Sequence, residues 1–489
     1  MKLHERIFEL ALKRSFFYPA NEPYGSISGF YDYGPVGSQI KHKIENLWRK
    51  MFIKENGYLE VESSIITPEI VLKASGHVDS FTDPIFECTK CHTKVRADSF
   101  IADNVEGYAW DGKNLADLDN ELAKHRLKCP KCGGEFGSAQ KFNLMFATGI
   151  GGDRAPAYAR PETAQGIFTA FPRLFRNHGT QLPLVVGQVG KSFRNEISPR
   201  KGLVRMREFT QMELEYFFDP TKPQHPAFQK VANYKMRFKI NGELRSLSCA
   251  EALNEGVVPN EIFAFFLAKE WEFYKAIGIP EVNMWFRVLG DDETPHYSKR
   301  NIDMEVETSY GVVETIGNAY RTDFDLSQHA RYSGENFTVN IEGRKFIPHV
   351  FEASMGVDRL FFCMLEHSFR EMSEQKQWEW FDLPPYIAPY DVAVYPLMKK
   401  DRLDEMARKI VDGLRSELDV FYSESGSIGK RYARADEIGI PYALTIDYDT
   451  LNDNTVTIRY RNDGKQERIA VGKIIEKIKE NIKNNKVNL

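Results

Sequence analysis

The first feature of this 489-residue sequence that could do chemistry is charge gathered on one face of a β-hairpin. Polar and apolar residues alternate between Val185 and Phe218, and side chains alternate across a strand. Arg205, Arg207, Phe209, Gln211, Glu213 and Glu215 therefore share one face. Val204, Met206, Thr210, Met212, Leu214 and Tyr216 share the other, with Glu208 the single charge among them. On the preceding strand Arg194 and Glu196 fall with Gln188 and Ser192, and the link ISPRKGL holds Pro199 and Gly202, which favour a loop. A polar face opposite an apolar one is also what a solvated sheet surface looks like. Phe209 among guanidinium groups points further, because an aromatic ring stacks on a purine while Arg forks match phosphate oxygens.

A second group is the two CxxC pairs, Cys88/Cys91 and Cys129/Cys132. CTKC and CPKC suit tetrahedral thiolate zinc, and CPKCGG is the kind of tight knuckle such sites use. The long acidic stretch between the pairs leaves two alternatives open: His92 or His125 as a substitute ligand, or cysteines that hold no metal. Cys249 and Cys363 lie in apolar contexts and read as core. Two glycine-bearing strings fail as nucleotide loops. GSIGK near Lys430 lacks the first glycine of a P-loop, and TGIGGDR lacks the third glycine of a dinucleotide fingerprint.

The elements that must position these groups follow from periodicity. Up to residue 85 the pattern is a helix, the aromatic string GFYDYGPVG, a long amphipathic helix around Ile40 to Ile53, and a strand from Tyr58 stopped by Pro68. The segment from about 86 to 141 looks like an insertion. The segment from about 219 to 300 is expected to be helical around EIFAFFLAKEWEFYKAIG. Strand patterns resume at Asn283, a helix starts near Met355, and LPPYIAP forms a hinge before a compact α/β unit. With 42% hydrophobic residues the chain can bury a large core. A net charge of −4 gives no global positive field, so any RNA contact must be local. No apolar run approaches the roughly 20 residues of a membrane span. The opening residues read as a helix rather than a targeting peptide, and six cysteines in so long a chain suggest reduced thiols, together pointing to the cytoplasm.

Longer strings carry a resemblance. FRNE, a loop and RxREF resemble motif 2 of the class II aminoacyl-tRNA synthetases, the segment ending at Pro68 resembles motif 1, and GVDR at Gly356 to Arg359 resembles motif 3. YDYGPVG, RPETAQGIF, SFRNEISPR, RMREFTQMELE and FEASMGVDRL are similar to glycyl-tRNA synthetases of the homodimeric type, along essentially the whole chain. The resemblance implies an α+β fold: an antiparallel sheet flanked by helices over 1–388, with the two insertions, and an anticodon-binding α/β domain over 389–489. It implies a homodimer, glycine, ATP, Mg²⁺ and tRNA(Gly) as substrates and partners, and diadenosine tetraphosphate synthesis as a side activity.

By the same resemblance Arg194 holds the α-phosphate, Phe209 and Arg359 sandwich adenine, Arg205 or Arg207 reaches the outer phosphates, and Glu196 fixes the adenine amino group. Asn195, Val204, Glu208 and Gly356 complete the nucleotide positions. Glu314 is implied as the Mg²⁺ carboxylate, with Thr315 departing from the apolar residue expected there. Catalysis then rests on Arg194, Arg359 and Glu314. Glycine recognition is implied for Arg96, Glu162, Phe209, Gln211, Glu213, Glu352 and Ser354. Read by themselves, Glu162 also suits a helix N-terminus and Glu352 a strand end. In the C-terminal unit Lys430, Arg431, Arg434, Arg459 and Arg461 are phosphate-contact candidates provided they cluster. Neither HIGH nor KMSKS occurs, which speaks against a class I synthetase.

Overall fold

The computed structural model describes residues 1–108, 114–197, 199, 202–290, 293–295, 297–374 and 376–484. Ser198, Arg200 and Lys201 of the hairpin link lie outside them. A nine-stranded sheet organises the body. Its strands are β1 (Leu59–Glu60), β2 (Leu184–Phe193), β3 (Glu208–Phe218), β4 (Lys235–Ile240), β5 (Glu243–Ser248), β6 (Met284–Val288), β7 (Asn301–Thr308), β8 (Gly311–Thr322) and β9 (His349–Gly356), in the spatial order β5-β4-β6-β7-β8-β9-β3-β2-β1. From β6 to β2 every neighbour is antiparallel, and parallel pairing occurs at β4/β6 and β1/β2.

Period 2 assigns the two faces of β3. Met212, Leu214, Tyr216 and Phe218 are buried against helix α3 (Glu261–Ala276), whose Phe263 and Phe266 rings lie 4.6 and 5.1 Å from Phe351 of β9. That helix starts where the Asn260 side chain accepts the Phe263 amide at 3.0 Å, and it is apolar almost all round because it is buried almost all round. The opposite face of β3 is shared. Phe217 packs under Phe168 and Phe171 of helix α2 (Ala164–Asn177), whereas Gln211, Glu213 and Glu215 face an enclosed polar region beside it. Helix α1 (Pro35–Trp48), capped by Gly34 with Pro35 at its first turn, and helix α4 (Val357–Ser368) complete the apolar side.

Two sequence expectations change. The strand from Tyr58 to Pro68 is broken into β1 and a separate Ile66–Pro68 strand, which pairs with Ala155–Ala159 in a small three-stranded sheet. The segment from 219 to 300 is helical only in part. It also supplies β4, β5 and β6, because KMRFKINGELRSLS alternates at period 2 around Asn241-Gly242, both at positive φ as a tight hairpin requires. The 86–141 segment has its own small core of Phe86, Val95, Ala97, Ile101 and Leu118.

Beyond Ile387 a five-stranded sheet forms: β10 (Val392–Pro396), β11 (Val420–Tyr422), β12 (Tyr442–Ile446), β13 (Thr455–Tyr460) and β14 (Gln466–Ala470), ordered β11-β10-β12-β13-β14. One side has a separate core around Leu403, Ile410 and Ile474. On the other, Ala393, Tyr395, Ile438 and Ile440 join the main core with Phe381, Leu383 and Ile387.

Candidate active site

A cavity of about 400 Å³ opens over β3, β9 and β8, within the range of small-molecule sites. Fourteen of the positions singled out from sequence line it: Glu162, Arg194, Glu196, Val204, Arg205, Phe209, Gln211, Glu213, Glu314, Thr315, Glu352, Ser354, Gly356 and Arg359. The polar face of the hairpin is thus an enclosed floor rather than a solvated surface, with Gln211, Glu213 and Glu215 all buried.

One end combines rings and guanidinium groups. Arg194 lies over Phe209 at 5.3 Å and over Phe81 at 5.4 Å, with its Nε donating to the Pro161 carbonyl at 3.2 Å. Arg205 Nε donates to Glu196 at 2.7 Å. Arg359, at the start of α4, donates from Nε to the Val204 carbonyl at 3.1 Å and from Nη1 to the Glu314 carbonyl at 2.8 Å. The neighbouring Asp358 is tied down by the Tyr33 hydroxyl at 2.7 Å and the Thr210 amide at 2.6 Å, which fixes the helix start against β3. Glu314 reaches the cavity through a β-bulge between β7 and β8, and the extra residue, Thr315, turns inward to donate to the Met304 carbonyl at 3.1 Å.

The other end is acidic. Glu213 accepts from Gln211 at 2.8 Å, from Ser354 at 2.6 Å and from Thr163. Glu352 stands directly across from Glu215 in the β3/β9 register. Arg321, 1% exposed, donates two bonds to Asp325 at 2.7 and 2.9 Å and a third to Glu352 at 2.7 Å, sandwiched between Tyr297 at 4.2 Å and Phe168 at 5.2 Å. Burial would raise Glu162, but His77, 3.4 Å away, and then Arg321 hold it well below the usual carboxylate range. Burial and the neighbouring carboxylates push Glu352 up to about 8 against the pull of Arg321. Burial and Glu352 push Glu215 well above the ordinary range, and neither of its oxygens has a hydrogen-bond partner among the described residues. Arg321, Asp325 and His77 were missed by sequence reasoning, and Glu215 was placed on the polar face of the hairpin without a role. The only signal was arginine and aspartate four apart in RTDFD at a strand-to-helix junction.

A cavity with a stacking ring, phosphate-matching cations and a small acidic recess suits a nucleotide beside an amine. Comparison with known proteins agrees. The model of the tRNA synthetase class II core domain (G, H, P, S and T) matches residues 153–368, and that of the anticodon binding domain matches 391–481. A curated glycine–tRNA ligase of Methanocaldococcus jannaschii is 38% identical over 98% of this chain and 99% of its own length. Those of Methanothrix thermoacetophila and Aeropyrum pernix are 37% and 36% identical, each over 98% of this chain and 97% and 96% of their own. The chain belongs to the glycine–tRNA ligase family. Its fold is the α+β fold of that family, a class II core followed by an anticodon-binding domain.

Four of the positions expected in this glycine–tRNA ligase fold stand outside the cavity lining. Asn195 joins its amide to the Leu144 carbonyl at 2.6 Å, and Arg207 donates to the carbonyls of Glu196 and Ser28, each at 2.9 Å. Glu208 pairs outward with Lys191 at 3.2 Å. Arg96 forks onto Asp98 and lies 3.1 Å from Asp83, which in turn lies 3.7 Å from Arg205.

The four insertion cysteines come together, all Sγ atoms within 4.8 Å of one another. Cys88 to Cys132 and Cys91 to Cys129 are each 3.6 Å, far beyond a disulfide and close to the ~3.8 Å expected between thiolates arranged tetrahedrally about zinc. Both knuckles have the same form: the amides of His92 and Gly133, each at positive φ, bond back to the Cys88 and Cys129 carbonyls at 3.0 and 2.9 Å. The histidine alternatives fail. His92 points to Glu87 at 3.0 Å and His125 to Glu121 at 3.2 Å.

The C-terminal cations do not form a common phosphate face. Arg431 donates to the Pro396 carbonyl at 2.6 Å, Arg459 forks onto Asp436 at 2.8 and 3.0 Å, and Arg461 holds Asp382 at 2.7 Å; all three are buried. Lys430 is exposed and Arg434 half-buried.

Proposed function

We propose that this chain activates glycine with ATP and transfers the glycyl group to the 3′ end of tRNA(Gly). The observation that carries the reading is the division of one cavity into a ring-and-guanidinium end and an acidic recess anchored by Arg321. In the first step a glycine carboxylate oxygen bonds to the α-phosphorus, the α–β bridge breaks, and pyrophosphate leaves. Arg194 faces the α-phosphate and stabilises the charge that builds there, Phe209 and Arg359 hold the adenine between ring and guanidinium, and Arg205 with Glu196 borders the purine and outer phosphates. Glu162, Glu213 and Glu352 with Ser354 receive the glycine ammonium. In the second step a terminal ribose hydroxyl of the tRNA attacks the glycyl carbonyl and AMP departs.

Glu314 is a hard oxygen donor beside the phosphate end and suits Mg²⁺, which when bound neutralises phosphate charge. Cys88, Cys91, Cys129 and Cys132 would hold a structural zinc. Attack of a second ATP on the adenylate, releasing glycine, would give diadenosine tetraphosphate. The residues up to 388 would carry activation and those from 389 the anticodon, with Lys430 and Arg434 among the cations available to RNA. Exposed Ile65, Ile66 and Ile70 support a second copy of the chain packing beside the Ile66–Pro68 strand. None of the described helices is long and apolar enough to cross a membrane, compatible with a cytoplasmic enzyme. Amino-acid-dependent ATP–pyrophosphate exchange, run with glycine, alanine, serine, proline and threonine, tests the reading. Exchange with glycine alone is the expected result, and exchange with none of them would overturn it.

A further inference from the structure

Of the acidic recess, Glu162 is the carboxylate held well below its usual range, and each of its oxygens has a separate partner. Oε1 accepts the Gln165 amide at 2.8 Å. That amide nitrogen also donates to Asp325 at 3.1 Å, and the Gln165 carbonyl oxygen meets His329 Nε2 at 2.8 Å, so two carboxylates and an imidazole fix which way the amide points. Arg321 approaches the same Oε1 only to 3.9 Å. At Oε2 the one ion-pair partner among the described residues is His77, whose Nε2 lies 3.4 Å away. Facing a carboxylate, that nitrogen has to carry a proton, since a bare lone pair would repel it.

His77 is held in turn. Gly76, at φ 82°, turns the chain after Ser75, and His77 opens the single helical turn His77–Ser80. Its Nδ1 lies 2.7 Å from the hydroxyl of Ser75, a buried residue that also reaches the Leu72 carbonyl at 3.3 Å. The hydroxyl serves either state of the ring: it donates to Nδ1 of a neutral imidazole, or accepts from a charged one and turns its own proton to Leu72. The ring also stands edge-on to Phe81 at 5.4 Å, the ring over which Arg194 lies. His77 is not among the residues lining the cavity, so its effect on substrate passes through Glu162. We infer that His77 is a positioning residue for glycine, holding Glu162 Oε2 in place for the substrate ammonium. This rests on the reading of Glu162 as an ammonium ligand given above. Without the His77 N–H, the cation left beside Glu162 is Arg321, already shared by Asp325 and Glu352, and Oε2 loses the partner that orients it.

ATP–pyrophosphate exchange by the full-length protein, with glycine and ATP varied in turn, tests this. His77→Phe keeps a ring against Phe81 but removes the donor to Glu162. It should raise the glycine KM by at least about tenfold, with the ATP KM within about twofold and kcat within about threefold of wild type. His77→Gln, which restores an N–H without the charge, should recover part of the glycine KM. Ser75→Ala, which frees the ring, should raise it by a smaller factor. Glu162→Gln should raise it as well, and adding His77→Phe to that variant should cost little more, because the two act on one contact. An unchanged glycine KM in His77→Phe would overturn the inference. So would equal rises in the glycine and ATP KM, or no recovery in His77→Gln, either of which marks a packing role. A fully additive double variant would overturn it too. The two readings fail separately: an unchanged glycine KM in Glu162→Gln would sink the ammonium assignment itself, whereas a rise there without one in His77→Phe would sink only the role of His77.

Discussion

Replacing Arg321 by methionine tests the electrostatic construction of the acidic recess. The guanidinium is 1% exposed and makes three charged hydrogen bonds, two to Asp325 and one to Glu352, with Glu162 a further 3.9 Å away. Methionine fills similar space between Tyr297 and Phe168 but leaves those carboxylates with no cation at their centre. Breaking a buried pair from one side typically destabilises by about 3–5 kcal/mol, because the partner charge remains buried and uncompensated. The variant should therefore lose about that much by chemical denaturation at pH 8. The sign of its pH dependence follows from the same cause. Without Arg321 the carboxyl groups that it pulls down, Glu162 and Glu352, shift upward, so the folded variant binds more protons than the folded parent and the penalty lessens as pH falls. Each carboxylate that takes up a proton can recover up to about 1.4 kcal/mol per pH unit, and the deficit should be clearly smaller at pH 5.5 than at pH 8. A deficit under about 1 kcal/mol, or one that does not shrink on acidification, would refute the argument that Arg321 organises the recess.

Glu352→Gln should raise the glycine KM far more than the ATP KM, and equal effects would sink the ammonium assignment. In the unmodified protein, protonation of Glu352 below about pH 8 should raise the glycine KM as pH falls, by up to about tenfold per unit, and the Gln variant should be flat over that range. On the apolar side of the sheet burial pushes Glu270 up to about 8, with only the Asn318 amide among the described residues, at 3.0 Å, donating to it. A raised carboxyl pKa penalises folding increasingly from about pH 4.3 to 8, so Glu270→Gln should stabilise by about 1–3 kcal/mol at pH 8 and by little at pH 4.5; a gain independent of pH would contradict this. Protein purified without chelator should hold about one zinc per chain by elemental analysis, and Cys129→Ser should lose it. Charge-removing changes at Lys430 and Arg434 should lower tRNA charging while sparing glycine-dependent exchange, a cleaner division than truncation at 388, because Tyr395, Ile438 and Ile440 belong to the main core.

How much of this was legible depended on whether a residue's surroundings lie near it in the chain. The hairpin face could be read because alternation is local: Gln211 and Glu213 follow from period 2 once the strand is recognised, whereas Ser354, which the β3/β9 register pairs with Glu213, came from the resemblance. That this face is enclosed could not be read, because the residues that roof it, Glu162 and Tyr297 among them, come from distant segments. Period 2 was also available in KMRFKINGELRS, where a strongly helical neighbour drew attention away from the Asn-Gly turn. Arg205 and Arg207 were given strand-like faces although the strand begins only at Glu208, and a 3₁₀ turn at Gly202–Val204 re-aims them, sending Arg207 to backbone carbonyls. The buried arginines show the same limit from the other direction. Arg431, Arg459 and Arg461 read as surface cations because sequence displays the charge and conceals the partner, and their acceptors include carbonyls and carboxylates 22 to 79 residues away. Arg321 and Asp325 are partners four residues apart, yet what matters is that Arg321 also reaches Glu352, 31 residues on, across neighbouring strands. Charge type is a property of the chain, whereas its compensation is a property of the fold, and in this protein compensation separates a structural arginine from one left free for substrate.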